Sequence, residues 1–196
     1  MKKLLLLLSF YSLVFSESYK SQTIGVELNP LRPFFSVMTN GLTFSGSLNI
    51  FNYDNAVEIS FPLTYNQHSV TRYEDYEDTT HSYDEVDLNA GIHARKYLSA
   101  GIKGFYLGVF GRYTYLEGKL KDDYRLANVH KFGAGGEFGF RIMRHRGSRI
   151  YWGMSLGVGR YFGENNNVFE HNYPAMMIDD REYFIDIEAL KFGYEF

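Results

Sequence analysis

The sequence predicts an all-β protein, an eight-stranded antiparallel up-and-down transmembrane β-barrel that follows a cleaved signal peptide. Three observations predict it. The chain contains about eight segments in which apolar residues alternate with small or charged ones, and a period of two is typical of β-strands in membrane barrels. Its first residues have the pattern of a secretory signal. Its last segment, 190–196, alternates in the same way and ends on the aromatic residue Phe196.

The N-terminal segment predicts export. Lys2 and Lys3 precede an apolar run that begins at Leu4. A positive start, a short apolar core and small residues before the cut are typical of a secretory signal, and the run is too short for a spanning helix. We expect cleavage after Ser16, which leaves one mature domain, residues 17–196. A buried N-terminal helix is the alternative interpretation.

Composition excludes some classes of protein. The formal net charge is −3, with 20 Lys and Arg against 23 Asp and Glu, and no basic stripe is present. Nucleic acid is therefore not an expected partner. Aromatic residues make up 18% of the chain, which is high for a soluble domain, and there is no cysteine to form a disulfide or carry a lipid. After the signal no apolar run approaches the length of a membrane helix.

The alternation leaves one face of each segment apolar and the other small or charged. A soluble lipocalin-like barrel also alternates, so the composition of the second face decides between the two. That face carries Gly133, Gly135 and Gly139 in one segment and Gly157 and Gly159 in another. Glycine weakens a solvated strand for no gain, whereas a narrow eight-stranded interior has room for only some large side chains. We therefore expect the small and charged face to point inward and the apolar face to contact lipid.

Charged residues of both signs fall on the predicted inner face. They are Glu27, Glu58, Asp87, His93, Arg95, Arg112, Lys131, Glu137, Arg141, Lys191 and Glu195. Acids and bases are nearly balanced, as a filled interior requires, because an unpaired charge removed from water costs several kcal/mol. We expect a structural network of ion pairs and hydrogen bonds that plugs the barrel. An ion path or proton relay is the functional alternative.

The connections are predicted to alternate in length. Short ones fall at 52–55, 99–103 and 143–149, and long ones at 66–82, 117–128 and 163–182. The segment 29–35, rich in proline and apolar residues, is expected to cap the barrel rim or to rest in the lipid interface. Aromatic residues near the strand ends are expected to form two girdles. One contains Tyr97, Phe105, Trp152 and Tyr194, and the other Tyr65, Tyr113 and Phe132.

Two acidic residues in the last segment do not fit this pattern. Asp186 and Glu188 share their parity with Leu190 and Phe192, which are predicted to face lipid. Either these carboxylates lie at the outer rim, where charge is tolerated, or a β-bulge resets the parity between them and Leu190.

One predicted loop carries a candidate binding patch, Tyr73, Glu74, Asp75, Tyr76, Glu77 and Asp78. Clustered carboxylates can hold a divalent cation, but no EF-hand spacing is present. A solvated acidic loop is the simpler interpretation, and tyrosine beside acids also suits an extracellular protein or cationic peptide partner. We predict no metal site, no cofactor and no catalytic residue.

The signal peptide, the alternating segments and the terminal Tyr194 and Phe196 resemble those of the small bacterial outer-membrane barrels exemplified by the OmpA membrane domain, OmpX and OmpW. The resemblance implies a Gram-negative outer-membrane location with both termini in the periplasm. It also implies contact with membrane lipid and lipopolysaccharide, and recognition of Tyr194 and Phe196 by the barrel assembly machinery.

The function expected from these features is not enzymatic. We expect a barrel that contributes to membrane integrity and presents extracellular loops for interaction at the cell surface. A narrow OmpW-like channel for small solutes, or a lipid A-modifying barrel enzyme, is the alternative. A barrel deacylase would require a His-x-Ser pair on one strand face, whereas His68-Ser69 and His81-Ser82 are adjacent and fall in a predicted loop.

Overall fold

A computed structural model describes residues 22–38, 41–74, 79–120, 126–143, 149–162 and 182–196. These residues form a closed barrel in which each strand pairs antiparallel with the next and β1 pairs with β8. The strands are β1 Gln22–Leu28, β2 Gly41–Asn52, β3 Val57–Glu74, β4 Thr79–Tyr97, β5 Gly104–Leu120, β6 Leu126–Met143, β7 Ile150–Phe162 and β8 Tyr183–Glu195. The prediction of an all-β, eight-stranded antiparallel up-and-down barrel is confirmed.

The two ends of the barrel differ. The end that carries Gln22 and Phe196, called the terminal end below, has short connections at 53–56 and 98–103, close to the predicted turns. The third short connection lies mostly outside the described residues. The opposite end, called the far end, carries the connections between β1 and β2, β3 and β4, β5 and β6, and β7 and β8.

The prediction of long loops at 66–82 and 117–128 is wrong. Most of 66–82 belongs to β3 and β4, and most of 117–128 belongs to β5 and β6. These segments carry polar residues on both strand faces, so the period-two hydrophobic signal disappears while the backbone ladder continues. Of the third predicted loop only Glu182 is described.

One connection contains a helix that the sequence analysis did not predict. The helix α1, Leu31–Met38, follows β1 at the far end. Asn29 is its N-cap, because the Asn29 Oδ1 atom accepts a hydrogen bond from the Leu31 backbone N–H at 3.1 Å. Pro30 lies directly before Leu31, the first helical residue, where its missing N–H removes no hydrogen bond from the helix.

The apolar face of the strands points outward, as the sequence predicts. Among the exposed large side chains are Ile24, Val26, Leu48, Phe61, Leu63, Ile92, Phe105, Leu107, Val109, Phe132, Phe138, Met154, Leu156, Val158, Ile185 and Phe192. The inner face carries small, polar and charged residues.

Inward glycines leave space for inward aromatic rings. A Cβ atom at Gly193 would overlap the ring of Tyr151, one at Gly159 would overlap Phe184, and one at Gly139 would overlap the Tyr106 ring. The interior is therefore filled by aromatic rings that pack directly against the backbone of these glycines. The sequence analysis identified the small residues but not the aromatic side chains that use the space.

An apolar cluster closes the terminal end. Ile102, in the turn between β4 and β5, is 1% exposed and packs with Phe51, Ala56, Tyr97, Tyr106 and Tyr151. The sequence predicts Tyr97 in the lipid-facing girdle that contains Phe105, Trp152 and Tyr194, and that prediction is wrong. Its parity along β4 matches Arg95 and His93, so it points inward with them.

Candidate functional site

The charged interior contains a buried group of side chains that we call the inner network: Glu27, Glu58, Arg95, Glu137, Arg141 and Lys191. Glu58 is its centre and is 0% exposed. One carboxylate oxygen, Oε1, lies 2.8 Å from Arg95 Nη1, and the other, Oε2, lies 2.9 Å from Arg141 Nη1. The Tyr97 hydroxyl donates a further hydrogen bond to Glu58 Oε2 at 2.6 Å. Two cations from neighbouring parts of the wall thus share one carboxylate.

The other two acids of the inner network complete the charge balance. Arg95 Nε donates to Glu137 Oε1 at 2.7 Å. Arg141 Nη2 donates to Glu27 Oε2 at 3.3 Å, and Lys191 Nζ lies 3.5 Å from Glu27 Oε1. All these side chains are buried, so their attraction acts in a medium of low dielectric constant. Removal of any one partner would leave an uncompensated charge.

Aromatic rings supply further contacts to the buried cations. The Arg141 guanidinium carbon lies 4.0 Å from the ring centre of Tyr151 and 4.7 Å from that of Phe51. Arg95 lies over Tyr106 at 5.2 Å. Such cation–π contacts stabilise a desolvated guanidinium that cannot reach water.

His93 lies halfway along the interior, between β3 and β5. Its ring stacks on Phe110 with 4.9 Å between ring centres, and its Nδ1 atom lies 3.1 Å from Glu137 Oε1. Among the described residues, Nε2 has no hydrogen-bond partner. A buried imidazole beside a carboxylate can exchange a proton, but no described serine lies within hydrogen-bond distance of it. Around His93, the described residues therefore do not assemble a nucleophilic triad.

A second group, the mouth cluster, lies at the far end and consists of Asn29, Arg32, Arg112, Asp186 and Glu188. Arg32 Nη2 lies 2.7 Å from Asp186 Oδ1 and 2.7 Å from Glu188 Oε1. Arg112 contacts the other oxygen of Asp186, and the Asn29 side-chain amide donates to Glu188. The cluster joins α1 and Asn29, in the connection between β1 and α1, to β5 and β8.

The inward position of Asp186 and Glu188 results from a β-bulge in β8. Ser155 pairs with Glu188 whereas Gly153 pairs with Lys191, so β8 contains an extra residue opposite β7. The bulge reverses the parity between Glu188 and Lys191, and both then face the interior. Of the two sequence interpretations, the bulge is confirmed and the lipid-facing rim position is wrong.

The structure places all of the predicted interior residues on the inner face, but not in one group. Asp87 and Lys131 lie toward the far end, apart from the inner network. Asp87 accepts hydrogen bonds from Asn66 and Asn89 at 3.3 and 2.6 Å. Lys131 lies 5.5 Å from the ring centre of Tyr161. Glu195 is buried at the terminal end, where it accepts a hydrogen bond from Tyr53.

Tyr53 lies in the turn between β2 and β3. Burial, together with the hydrogen bond that Tyr53 donates to Glu195, raises the pKa of its phenol well above the ordinary value. The phenol therefore remains a neutral donor that closes the interior toward the terminal end.

The alternation of the sequence does not reveal Arg32, the inward position of Asp186 and Glu188, or the interior tyrosines. Arg32 could have been placed from the Asn29-Pro30 pair, because an asparagine before a proline is typical of a helix start. For Asp186 and Glu188, the sequence signal was that they share the parity of the lipid-facing Leu190, which a bulge before Leu190 explains.

In the described part of the interior, a small polar cavity lies between the inner network and the mouth cluster. Its volume is about 30 Å³, and its lining includes Ser45, His93, Arg112, Ser155 and Glu188. That is room for about two water molecules. It offers no continuous passage, because the apolar cluster closes the terminal end below it.

The other candidates from the sequence are only partly described. Tyr73 and Glu74 end β3, while Asp75, Tyr76, Glu77 and Asp78 lie outside the described residues. His68-Ser69 and His81-Ser82 lie in strands, which corrects their assignment to a loop. His68 Nε2 lies 3.2 Å from Glu85 Oε2, and Ser69 points to the opposite strand face. Within the described ranges no three His, Asp or Glu side chains converge as metal ligands.

Comparisons with family models, with curated proteins and with solved structures find no match to this chain. Among the described residues, no helix has the length and apolar character needed to cross a membrane.

Proposed function

We propose that the chain is a non-enzymatic outer-membrane barrel protein that contributes to membrane integrity and presents an extracellular surface to a partner. The observation that carries this proposal is the combination of a continuous apolar exterior with a buried, charge-paired interior. A water-soluble barrel would bury its apolar face and expose its charges, which is the reverse arrangement. In this proposal residues 1–16 are the signal peptide and both termini lie in the periplasm.

The height of the apolar exterior supports a membrane location. On β5 the outward face is apolar or aromatic from Phe105 to Tyr115. A tilted strand rises about 2.6 Å per residue along the barrel axis, so this face is about 26 Å tall, against a hydrocarbon band of about 25 Å. Lipid is the environment that such a belt fits.

Aromatic pairs mark both borders of the belt. Near the terminal end Phe105 stacks on Phe138 at 5.5 Å, and Trp152 meets Phe140 edge to face at 5.7 Å. Nearer the far end Tyr113 lies 5.3 Å from Phe132. Aromatic rings prefer the membrane interface, which supports this orientation of the belt.

The interior supports a structural role rather than a channel. Glu58, Arg95 and Arg141 fill the interior toward the terminal end, and the apolar cluster around Ile102 closes that end beside them. A solute would have to displace paired buried charges as well as this cluster, at a cost of several kcal/mol for each charge. The interior is therefore expected to hold the wall in shape rather than to conduct.

The partner surface that we propose is a raised wall formed by β3, β4, β5 and β6 at the far end. β3 pairs with β2 as far as His68 and then continues to Glu74, and β6 begins at Leu126 but first meets β7 at Phe132. These four strands therefore rise above their neighbours. Asp84, Glu85 and Glu117 give the described part of the wall acidic character, which suits a cationic peptide or protein.

The test of this surface is a variant in which Glu74 and Asp75, together with Glu77 and Asp78, become Gln and Asn. We expect this variant to fold like the parent and to bind cationic surface peptides at least several-fold more weakly, because the attraction is electrostatic. Binding to detergent-solubilised protein is measured at low and high salt. A matched control replaces Asp54, which lies at the terminal end, with Asn and should bind like the parent. Equal binding by the parent and the acidic-patch variant would contradict the proposed surface.

A further inference from the structure

The barrel wall has a gap above β1. The last residue of β1, Leu28, pairs with Gly46 of β2 and with Phe192 of β8. Beyond that level β2 continues to Gly41 and β8 continues to Tyr183. The upper parts of these two strands therefore have no described strand between them.

The helix α1 lies at this gap and is fixed to its β2 side through the backbone of β2. The Asn29 N–H donates to the Ser45 carbonyl at 3.0 Å, just before the helix. The Ser36 hydroxyl accepts a hydrogen bond from the Thr43 N–H at 3.0 Å and donates to Pro33 within the helix at 2.9 Å. The helix is therefore anchored to β2.

The contact with β8 is of a different kind. In the described ranges no backbone hydrogen bond joins α1 to β8. Instead side chains make the contact: Arg32 bridges Asp186 and Glu188 through one nitrogen, 2.7 Å from each carboxylate, and just before the helix the Asn29 amide, next to the backbone contact with β2, also donates to Glu188. The Arg32, Asp186 and Glu188 side chains keep 21, 19 and 14% of their surface exposed, so water can compete for the bridge. This edge of the helix is held by a salt bridge and not by a ladder of backbone hydrogen bonds.

The small polar cavity lies directly behind this edge. Asp186 and Glu188 line the cavity, together with Asn29 and Ser45 on the other side of the gap. The same carboxylates that bind Arg32 therefore form part of the cavity wall. Movement of α1 away from β8 would widen the access from the outside to this partly enclosed cavity through the gap.

We propose that α1 is a hinged section of the barrel wall, latched by Arg32, that opens the interior cavity sideways between β2 and β8. The hinge is the Asn29 and Ser36 side, and the latch is the pair Asp186 and Glu188. The opening lies at the far end, so it faces the outer half of the membrane if the proposed location holds. That direction is the only part of the inference that rests on the proposed function.

The test measures access to a cysteine placed in the cavity. The natural chain has no cysteine, so a single Ser155→Cys change gives a clean reporter. Ser155 is buried and lines the cavity. The rate of its reaction with a charged methanethiosulfonate reagent is measured on the full mature chain, in detergent or, if the protein proves soluble, in buffer. The measurement therefore does not depend on the membrane location.

We expect Arg32→Gln to raise this rate about tenfold or more, because loss of the latch shifts the equilibrium between closed and open states. Arg32→Lys keeps the charge but carries it on a shorter side chain without the guanidinium group, and it should give an intermediate rate. The matched control is Arg160→Gln, which removes an exposed arginine that pairs with Glu182 at the same end. It should label like the parent.

Three results would overturn the inference. One is a parent-like rate in Arg32→Gln with the barrel folded. Another is an equal increase in Arg160→Gln, which would show general loosening. If Arg32→Gln does not fold, a parent-like rate in a folded Arg32→Lys variant would have the same meaning.

Discussion

Replacing Glu58 with glutamine is expected to destabilise the barrel by roughly 3–5 kcal/mol, because it leaves buried cations without their counter-charge. Glu58 is fully buried and meets both Arg95 and Arg141 within 3 Å. Glutamine has nearly the same volume as glutamate, so the loss of stability results from the missing charge and not from a cavity. The measurement is urea-induced unfolding of the refolded barrel in detergent, followed by the heat-dependent shift of its electrophoretic mobility.

A matched control and a second variant separate the stability lost with the Glu58 charge from other effects of a substitution. Glu117→Gln changes a half-buried carboxylate toward the far end that accepts a hydrogen bond from Tyr115, and it should cost less than about 1 kcal/mol. Adding Arg141→Met to Glu58→Gln should recover part of the loss, because the two residues belong to one network. Equal costs for Glu58→Gln and Glu117→Gln would contradict a charge-paired interior.

Replacing Gly193 with alanine is expected to destabilise the barrel by roughly 1–3 kcal/mol or more, because the added methyl overlaps a packed ring. The clash is with Tyr151, which is 0% exposed and is held between Arg141 and the amide of Asn49. The ring has no free space into which it can move. The same unfolding measurement checks the result.

The control for this prediction is Gly111→Ala on the outward face of β5, where no atom lies within 4 Å of the added carbon. Alanine is favoured over glycine in a strand by about 0.5–1 kcal/mol, so this variant should be neutral or slightly stabilised. Combining Gly193→Ala with Tyr151→Leu should relieve the clash and cost less than the two changes summed. If Gly111→Ala and Gly193→Ala lose equal stability, the interior rings do not need the glycines.

The residues that face the interior could be predicted from the sequence, because alternate residues of a strand point to opposite faces of the barrel wall. Glu27 and Glu58 each stand between two apolar neighbours, and once one face is known to be outside, every residue of their parity faces inward. The pairing among these residues could not be predicted, because it depends on the stagger of the strands around the barrel. That stagger brings β3, β4 and β6 side chains to one level.

The errors in the sequence analysis have separate physical causes. The strand extensions beyond His68 were missed because polar residues on both faces hide the alternation. Tyr97 was assigned to a girdle from its residue type, although its parity with Arg95 places it inside. Arg32 was missed because a short helix capped by Asn29 redirects the chain toward the barrel mouth, and that change of direction cannot be deduced from a strand pattern.

The most direct test of the account is to separate the membranes of cells that express the chain and to compare heated with unheated samples by electrophoresis. If the apolar exterior faces lipid, the mature protein is found with the outer membrane, is extracted only by detergent, and migrates differently before and after heating. A protein that remains in the soluble fraction without detergent would contradict a lipid-facing exterior around a paired, buried interior.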